Sequence, residues 1–352
     1  MDQLLSNNNQ TAVVGARGYA GQELARILLA HPRLGGLPPV FCGRERDSLA
    51  TVHPALRSLA SAEALTVQPF AWSLLEERGV DTVFLATPHE QSRQWVPEAL
   101  ARGFRVIDLS GAWRLESNQY RAVYGFEDNE AEAALATQQQ AVYGMPELHR
   151  EAIAKARLVA NPGCYATSVI LALKPLVAAG LLDLDHGIIC DAKSGVSGAG
   201  REPTAKTHYM YAADNLSVYG LWKHRHTGEL FEQLGVSEEQ LVLTPHLLPI
   251  PRGILSTIYV RFRERVTLAQ VQDCFRSFYA GRRLVRLFES PDLPQIQYVE
   301  RTNFCDLGVS LAADGRRGIV VACLDNLLKG AASQAVQNWN LMCGWPETEG
   351  LL

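Results

Sequence analysis

The run TAVVGARGYAGQELARILLAHP, residues 11–32, leaves the chain little choice of architecture. A short β-prone stretch ends at Gly15. Apolar residues then recur at helical spacing from Tyr19 until Pro32, where a helix must stop. A strand that becomes a helix through a glycine turn is the opening unit of a doubly wound sheet. The pattern continues: PVFC (39–42), DTVFLAT (81–87) and RVIDLS (105–110) are β-rich apolar runs, and a helix is predicted over about 91–102. Alternating strands and helices predict a parallel sheet covered on both faces.

The texture changes after Cys164. A helix is predicted from there to about Ala179, ended by Gly180. GIICDAKSG, LVLTPHLLP, GILSTIYVRF, FCDLGVSLAA and GIVVACLDN read as strands, with few helices between them, such as TLAQVQDCFRSFYAG. That predicts an α+β region with a mixed sheet. LLKGAASQAVQNWNLMCG, 327–344, reads as a helix, and MDQLLSNNNQ as a loose polar tail without a signal-peptide pattern. At 352 residues the chain exceeds one ordinary core, so two domains are expected.

Several function classes are disfavoured. The net charge of −4 offers no basic excess for a nucleic-acid backbone. No apolar run reaches membrane-spanning length; VILALKPLVAAGLL is broken by Lys174 and Pro175. Seven cysteines are scattered without a C-x-x-C pair, which argues against a disulfide framework and for a reducing cytoplasm.

Gly15, Gly18 and Gly21 are spaced G-x-x-G-x-x-G rather than the usual G-x-G-x-x-G of dinucleotide sites. The physical logic is shared: a glycine turn lets backbone N–H groups approach a pyrophosphate, and the helix N-terminus favours negative charge. The alternative is a tight turn without a ligand. At the end of the second strand, FCGRERDS places Arg44 and Arg46 where a cofactor 2′-phosphate would lie, so NADPH is preferred to NADH. Glu45 and Asp47 keep the ribose-binding alternative open.

VANPGCYATSVILALKPL puts Cys164 where a turn becomes a helix. The dipole and unpaired N–H groups at a helix start stabilise a thiolate and can also receive an oxyanion. Those are the needs of a cysteine that attacks a carbonyl carbon. The other six cysteines lie in apolar strands or helices and read as packing. WKHRHTGE crowds His224, Arg225, His226 and Glu229 together. One histidine can serve as acid/base partner, but the local pattern does not choose between them. No metal site is expected, because no further His or Cys completes a set; a solvated loop is the plain alternative. Arg114, just past a strand end, is either a surface charge or a clamp for carboxylate or phosphate. KSGVSGAGR (193–201) is a flexible connection or an anion- and cofactor-contacting loop, and PHLLPIPRG (245–253) reads as a rigid crossing segment.

GARGYAGQEL, NPGCYATS, SGVSGAGR, HRHTGE, PHLLPIPRG and DNLLKGAASQAVQN, in this order, resemble the N-acetyl-gamma-glutamyl-phosphate reductase family of arginine biosynthesis. The resemblance runs from about residue 11 to 344. It implies an α/β chain with an N-terminal doubly wound Rossmann domain (1–163, with 1–10 as tail), a C-terminal α+β catalytic and oligomerisation domain (164–326), and a final helix (327–352) returning to the first. It implies reduction of an acyl phosphate through a cysteine thioester, with Cys164 as nucleophile and His224 as acid/base. Arg114, Glu229 and Asn161 are the expected substrate-binding residues. Gly15, Arg17, Gly18, Tyr19, Ala20, Arg44, Pro88, Ser197, Gly198 and Asn326 are the expected NADP-binding residues. A homodimer or homotetramer acting on a small molecule is implied, with no nucleic-acid or membrane partner. The chain departs from the family pattern at Gly228, often Pro, and at Ala112-Trp113, often Asp-Phe. The competing readings are the same chemistry on aspartyl phosphate or a carrier-linked acyl phosphate, and a silent NADP-binding regulatory protein.

Overall fold

In a computed structural model, residues 9–126 and 132–352 are described. The expected tail falls mostly outside them, but Gln10 is buried and its amide donates to Pro38 O at 2.9 Å, so structure begins before residue 11. The chain divides into two compact units. The first runs to Glu116 and adds Tyr124–Asn161 and Ala332–Leu352; the second is Ser117–Val123 with Pro162–Ala331.

The first unit holds an eight-stranded sheet. Its strands are β1 (Thr11–Val14), β2 (Val40–Gly43), β3 (Asp47–Ser48), β4 (Thr66–Pro69), β5 (Thr82–Leu85), β6 (Arg105–Asp108), β7 (Ala141–Tyr143) and β8 (Leu158–Ala160). Their order is β3-β4-β2-β1-β5-β6-β8-β7, and every pair but β3–β4 is parallel. The order runs outward from β1 in both directions, through β2 and through β5. Doubly wound sheets present their ligand site at such a reversal. Val13 lies between Phe41 and Phe84, and all of β1 is buried, which explains its continuous apolar run. The first helix, Tyr19–Leu29, buries Leu24, Ile27 and Leu28. It ends before His31 because a residue preceding proline is pushed out of the helical region, and Pro32 opens a 3₁₀ turn instead.

The second unit holds a seven-stranded mixed sheet of order β10-β11-β9-β12-β15-β14-β13. Its strands are β9 (Ile188–Gly195), β10 (Ser217–Val218), β11 (Leu241–Leu248), β12 (Ile254–Arg261), β13 (Val285–Leu287), β14 (Cys305–Leu311) and β15 (Arg317–Leu324). The helix Cys164–Ala178 packs against β12 and β15, and Ser168 Oγ bonds Ser256 Oγ at 2.8 Å beneath it. On the sheet's other face Ile189, Tyr259 and Ile319 are cross-strand neighbours and all exposed.

Two expectations change. Of the segment 245–253 read as a crossing, Pro245–Leu248 instead completes β11, as the strand reading of LVLTPHLLP has it, and the alternate residues Leu241, Leu243, Pro245 and Leu247 point inward. Pro245 still serves the ladder through its carbonyl, which accepts from Tyr219 N at 3.1 Å. The helix expected over 327–344 is two pieces, a π turn at Leu328–Ala332 and an α-helix at Ser333–Met342. Asp325 Oδ1 takes the Leu327 and Leu328 amides and so starts the turn sharply. The unit boundary falls after Ala331, so residues 327–331 stay with the second unit.

Candidate active site

In the first unit, the Gly15–Gly18 turn sits at the strand reversal. Gly15 has φ of 90°, and a Cβ on it would lie 2.3 Å from Ala86 O, so only glycine fits. Gly18 is different. A Cβ there would meet nothing closer than Gly15 O at 3.7 Å. Packing does not demand glycine at Gly18, whereas close approach of a ligand to the backbone would. Tyr19 and Ala20 open the helix behind it, and Pro88 caps the helix His89–Ala101 that follows β5.

The charges after β2 sort themselves. Arg17 pairs with Asp47 at 3.1 Å and Glu45 at 3.7 Å, occupying both carboxylates of the RERD run. Arg44 and Arg46 are exposed and, among the described residues, form no ion pair. The strand end therefore offers cations rather than a carboxylate.

Arg114 and Asn161 lie close together in the first unit. Arg114 is buried; its Nε donates to Asn161 O at 2.7 Å and its Nη2 to Leu109 O at 2.8 Å. Asn161 Oδ1 accepts from Asn338 Nδ2 at 3.0 Å. In the segment before Arg114, Trp113 is buried with the Arg93 guanidinium 4.0 Å from its ring centre. The departure from the family pattern at this point is thus a filled packing site.

In the second unit, Cys164 is the first residue of its helix and is partly exposed. By contrast Cys42, Cys190, Cys305 and Cys323 are buried, and burial pushes the thiols of Cys42 and Cys323 up to about 12 and that of Cys190 higher still. Those thiols are inert packing groups. Gly163 precedes Cys164, and its amide donates to the fully buried Glu229 at 3.0 Å. A Cβ on Gly163 would lie 2.5 Å from the His226 ring, so that imidazole rests directly on the backbone before the thiol.

His224 stands across from it. Its ring meets Tyr165 edge-on at 5.3 Å, Tyr219 at 5.6 Å and His226 at 4.8 Å. His224 Nδ1 accepts the His226 backbone N–H at 3.2 Å. Burial, helped by the charge of Arg225, lowers its pKa to about 4. His224 is therefore neutral near pH 7, and with Nδ1 accepting, the proton sits on Nε2.

These groups open on one cavity of about 290 Å³, lined by Cys164, Tyr165, Tyr219, His224, Arg225 and His226 among others. Gly198 lines it as well, held on a loop where Asn326 Nδ2 donates to Ser197 Oγ at 2.9 Å. Asn326 Oδ1 also accepts from Gly253 N at 2.8 Å. The glycine- and serine-rich loop is therefore braced rather than a loose connection. Sequence reasoning did not single out Tyr165, Tyr219 or Lys206, which also lines the cavity. Tyr165 could have been found by its place beside Cys164; nothing in the sequence marks the other two.

Two family models match the chain: a semialdehyde dehydrogenase NAD binding domain over residues 10–156 and a semialdehyde dehydrogenase dimerisation domain over 164–326. An N-acetyl-gamma-glutamyl-phosphate reductase from Desulfotalea psychrophila is 41% identical over 348 residues, covering 97% of each chain. One from Methanococcus maripaludis is 40% identical over 344 residues, again covering 97% of each. The chain belongs to the N-acetyl-gamma-glutamyl-phosphate reductase family. Solved structures of a wider group share its fold. The aspartate semialdehyde dehydrogenase II of Vibrio cholerae superposes with a TM-score of 0.69 at 19% identity, covering 95% of this chain and 98% of that one. The Candida albicans aspartate semialdehyde dehydrogenase with NADP gives 0.67 at 16%, covering 95% and 98%. For a reductase of this family, the geometry brings Cys164, His224 and Glu229 together in one unit and sets Arg114 beside Asn161 in the other. Among the described residues no helix is long and apolar enough to cross a membrane, and no cluster of three or more His, Cys, Asp or Glu is placed to hold a metal ion.

Proposed function

We propose that the protein reduces N-acetyl-gamma-glutamyl phosphate to N-acetyl-L-glutamate 5-semialdehyde with release of phosphate, in arginine biosynthesis, with Cys164 as the nucleophile. The observation that carries the residue assignment is a partly exposed thiol at a helix N-terminus, opening on a cavity beside a neutral histidine.

The Cys164 thiolate attacks the acyl carbon. The C–S bond forms, the carbon–phosphate oxygen bond breaks, and phosphate leaves with that electron pair. A thioester remains, and it accepts hydride more readily than a carboxylate does. NADPH, when bound, supplies that hydride. The first unit is suited to it: the Gly15–Gly18 turn with Arg17, Tyr19, Ala20 and Pro88 takes the pyrophosphate region, and Arg44 takes the 2′-phosphate. In the second unit Gly198 borders the thiol's cavity, braced by Ser197 and Asn326. His224 Nε2–H donates to the oxyanion of the thiohemiacetal. Collapse of that oxyanion breaks the C–S bond and returns the thiolate. Glu229 fixes the Gly163 backbone beneath the thiol, and Arg114 with Asn161 is assigned to substrate.

The chain forms a homo-oligomer in the cytoplasm. The open sheet face bearing Ile189, Tyr259 and Ile319, in a region matching a dimerisation domain, is the apolar surface that assembly would cover. The test is NADP reduction by N-acetylglutamate semialdehyde in phosphate buffer, run beside aspartate semialdehyde. Preference for aspartate semialdehyde would overturn the substrate assignment, and no turnover with either would overturn the reaction.

A further inference from the structure

The acyl-phosphate reading requires a seat for the phosphoryl group near Cys164, and none of the residues assigned so far supplies one in the thiol's own cavity. Apart from its histidines, the charged side chains lining that cavity are Lys206 and Arg225, and no Asp or Glu lines it among the described residues. Arg225 lies between the two histidines in the chain, and its charge already acts on His224. Lys206 belongs to a separate turn closed by Thr204 and Thr207. Thr204 N donates to Thr207 Oγ1 at 2.9 Å, and the two hydroxyls stand 3.0 Å apart. Both threonines line the cavity with Lys206. Lys206 is exposed, and among the described residues no carboxylate pairs with it.

We propose that Lys206, with the hydroxyls of Thr204 and Thr207, forms the subsite for the substrate's phosphoryl group and, in the oxidative direction, for inorganic phosphate. The inference rests on the acyl-phosphate reading above. An ammonium with three rotatable donors, beside two hydroxyls, suits a tetrahedral dianion. When the carbon–oxygen bond breaks, the electron pair goes to the departing phosphate oxygen, and the Lys206 charge offsets it. In reverse, the held phosphate oxygen attacks the thioester carbon and the thiolate leaves.

The experiment measures KM for inorganic phosphate, for NADP and for N-acetylglutamate semialdehyde in the oxidative reaction, with the parent, Lys206→Gln and Lys206→Arg. Loss of one charge-assisted contact should raise KM for phosphate about tenfold or more in Lys206→Gln. The other two constants should stay within about twofold, and Lys206→Arg should restore most of the loss. A phosphate KM within about twofold of the parent in Lys206→Gln overturns the subsite. Protection of Cys164 from iodoacetate by inorganic phosphate, followed on the Cys164 peptide, is measured in parallel and needs no turnover. If the parent is inactive but phosphate protects it and not Lys206→Gln, the subsite stands and the reaction assignment falls. If phosphate protects both equally, or neither, the subsite is wrong.

Discussion

The amide of Gly163 donates to the Glu229 carboxylate at 3.0 Å, so a buried negative group is anchored one residue before Cys164. It occupies part of the positive end of the helix that the thiolate also uses. A charge on that carboxyl and a Cys164 thiolate would draw on the same dipole, so Glu229 holds the backbone under the nucleophile and, when ionised, faces any second charge placed beside it.

Glu229→Gln separates these effects. The amide oxygen can still accept from Gly163, but the charge is gone. The Cys164 thiol should then ionise at lower pH, read from the pH dependence of its alkylation by iodoacetamide. Glu229→Ala should instead leave the buried Gly163 N–H without its acceptor and lower stability by about 1–3 kcal/mol. An unchanged alkylation profile in Glu229→Gln would show that the carboxylate is electrostatically remote from the thiol.

Cys164→Ser should lose turnover by several orders of magnitude, comparable to removing the nucleophile of a catalytic triad, while NADPH affinity stays nearly constant. A serine hydroxyl is not ionised near neutral pH. His224 carries its proton on Nε2 and does not serve as the base that would activate it. Steady-state rates beside a fluorescence titration of NADPH check both halves. Appreciable turnover by the serine variant would remove Cys164 from the nucleophile role.

The folds of both units were legible because their signals are short-range. Buried parallel strands such as β1 are continuous apolar runs, and the Gly15 turn follows from backbone sterics. Cys164 at a helix start was legible for the same reason, since Gly163 and the helical pattern after it are adjacent in the chain. What escaped was contact between distant segments. Nothing in WKHRHTGE shows that His226 lies on Gly163, or that Tyr165 and Tyr219 flank His224. Pro245 fell in two overlapping readings, the strand LVLTPHLLP and the crossing segment PHLLPIPRG, and only its pairing shows that its carbonyl keeps it in the ladder. The choice between Arg44 and Glu45 was open in sequence because the ion pairs of Arg17 with Glu45 and Asp47 cannot be read from composition.

Those ion pairs set the next expectation. Arg44→Ala combined with Arg46→Ala should weaken NADPH by about 1.5–3 kcal/mol and leave NADH affinity nearly unchanged, because only NADPH carries the 2′-phosphate. Calorimetric titration of both cofactors measures the difference. Equal weakening of the two would place these arginines away from the 2′-phosphate.

The depressed pKa of His224 makes stability depend on pH. In the unfolded chain the imidazole titrates near 6.5, and in the folded chain near 4. Between these values the unfolded state binds a proton that the folded state refuses. This contribution to stability is intact above about pH 6.5 and is lost as pH falls from there to about 4, with a slope of at most about 1.4 kcal/mol per pH unit. Urea unfolding at pH 7.5, 6.0 and 5.0 should show a smaller decline for His224→Asn than for the parent. Identical declines would mean that His224 protonates freely in the folded state.

The same neutral imidazole decides which histidine carries the hydrogen-bond-donor role. His224 is held by the two tyrosines and by the His226 amide, which leaves its Nε2–H as the donor toward the cavity. His226 instead packs on Gly163. A donor aimed at a developing oxyanion typically contributes about 10²–10³-fold to turnover. His224→Ala should therefore lower kcat by that order while changing substrate KM little. His226→Ala should cost less than about tenfold in kcat and act through the backbone beneath the thiol, so its larger effect should be on thermal stability. The parent's kcat should also show no loss with an apparent pKa near 6.5 that disappears in His224→Asn, because His224 is already neutral there. Steady-state kinetics of the three variants from pH 5 to 8, with melting curves for each, settle the assignment. A large kcat loss confined to His226→Ala would transfer the donor role to His226, and a His224-dependent step near pH 6.5 would mean that the imidazole works as a titrating acid rather than as a fixed neutral donor.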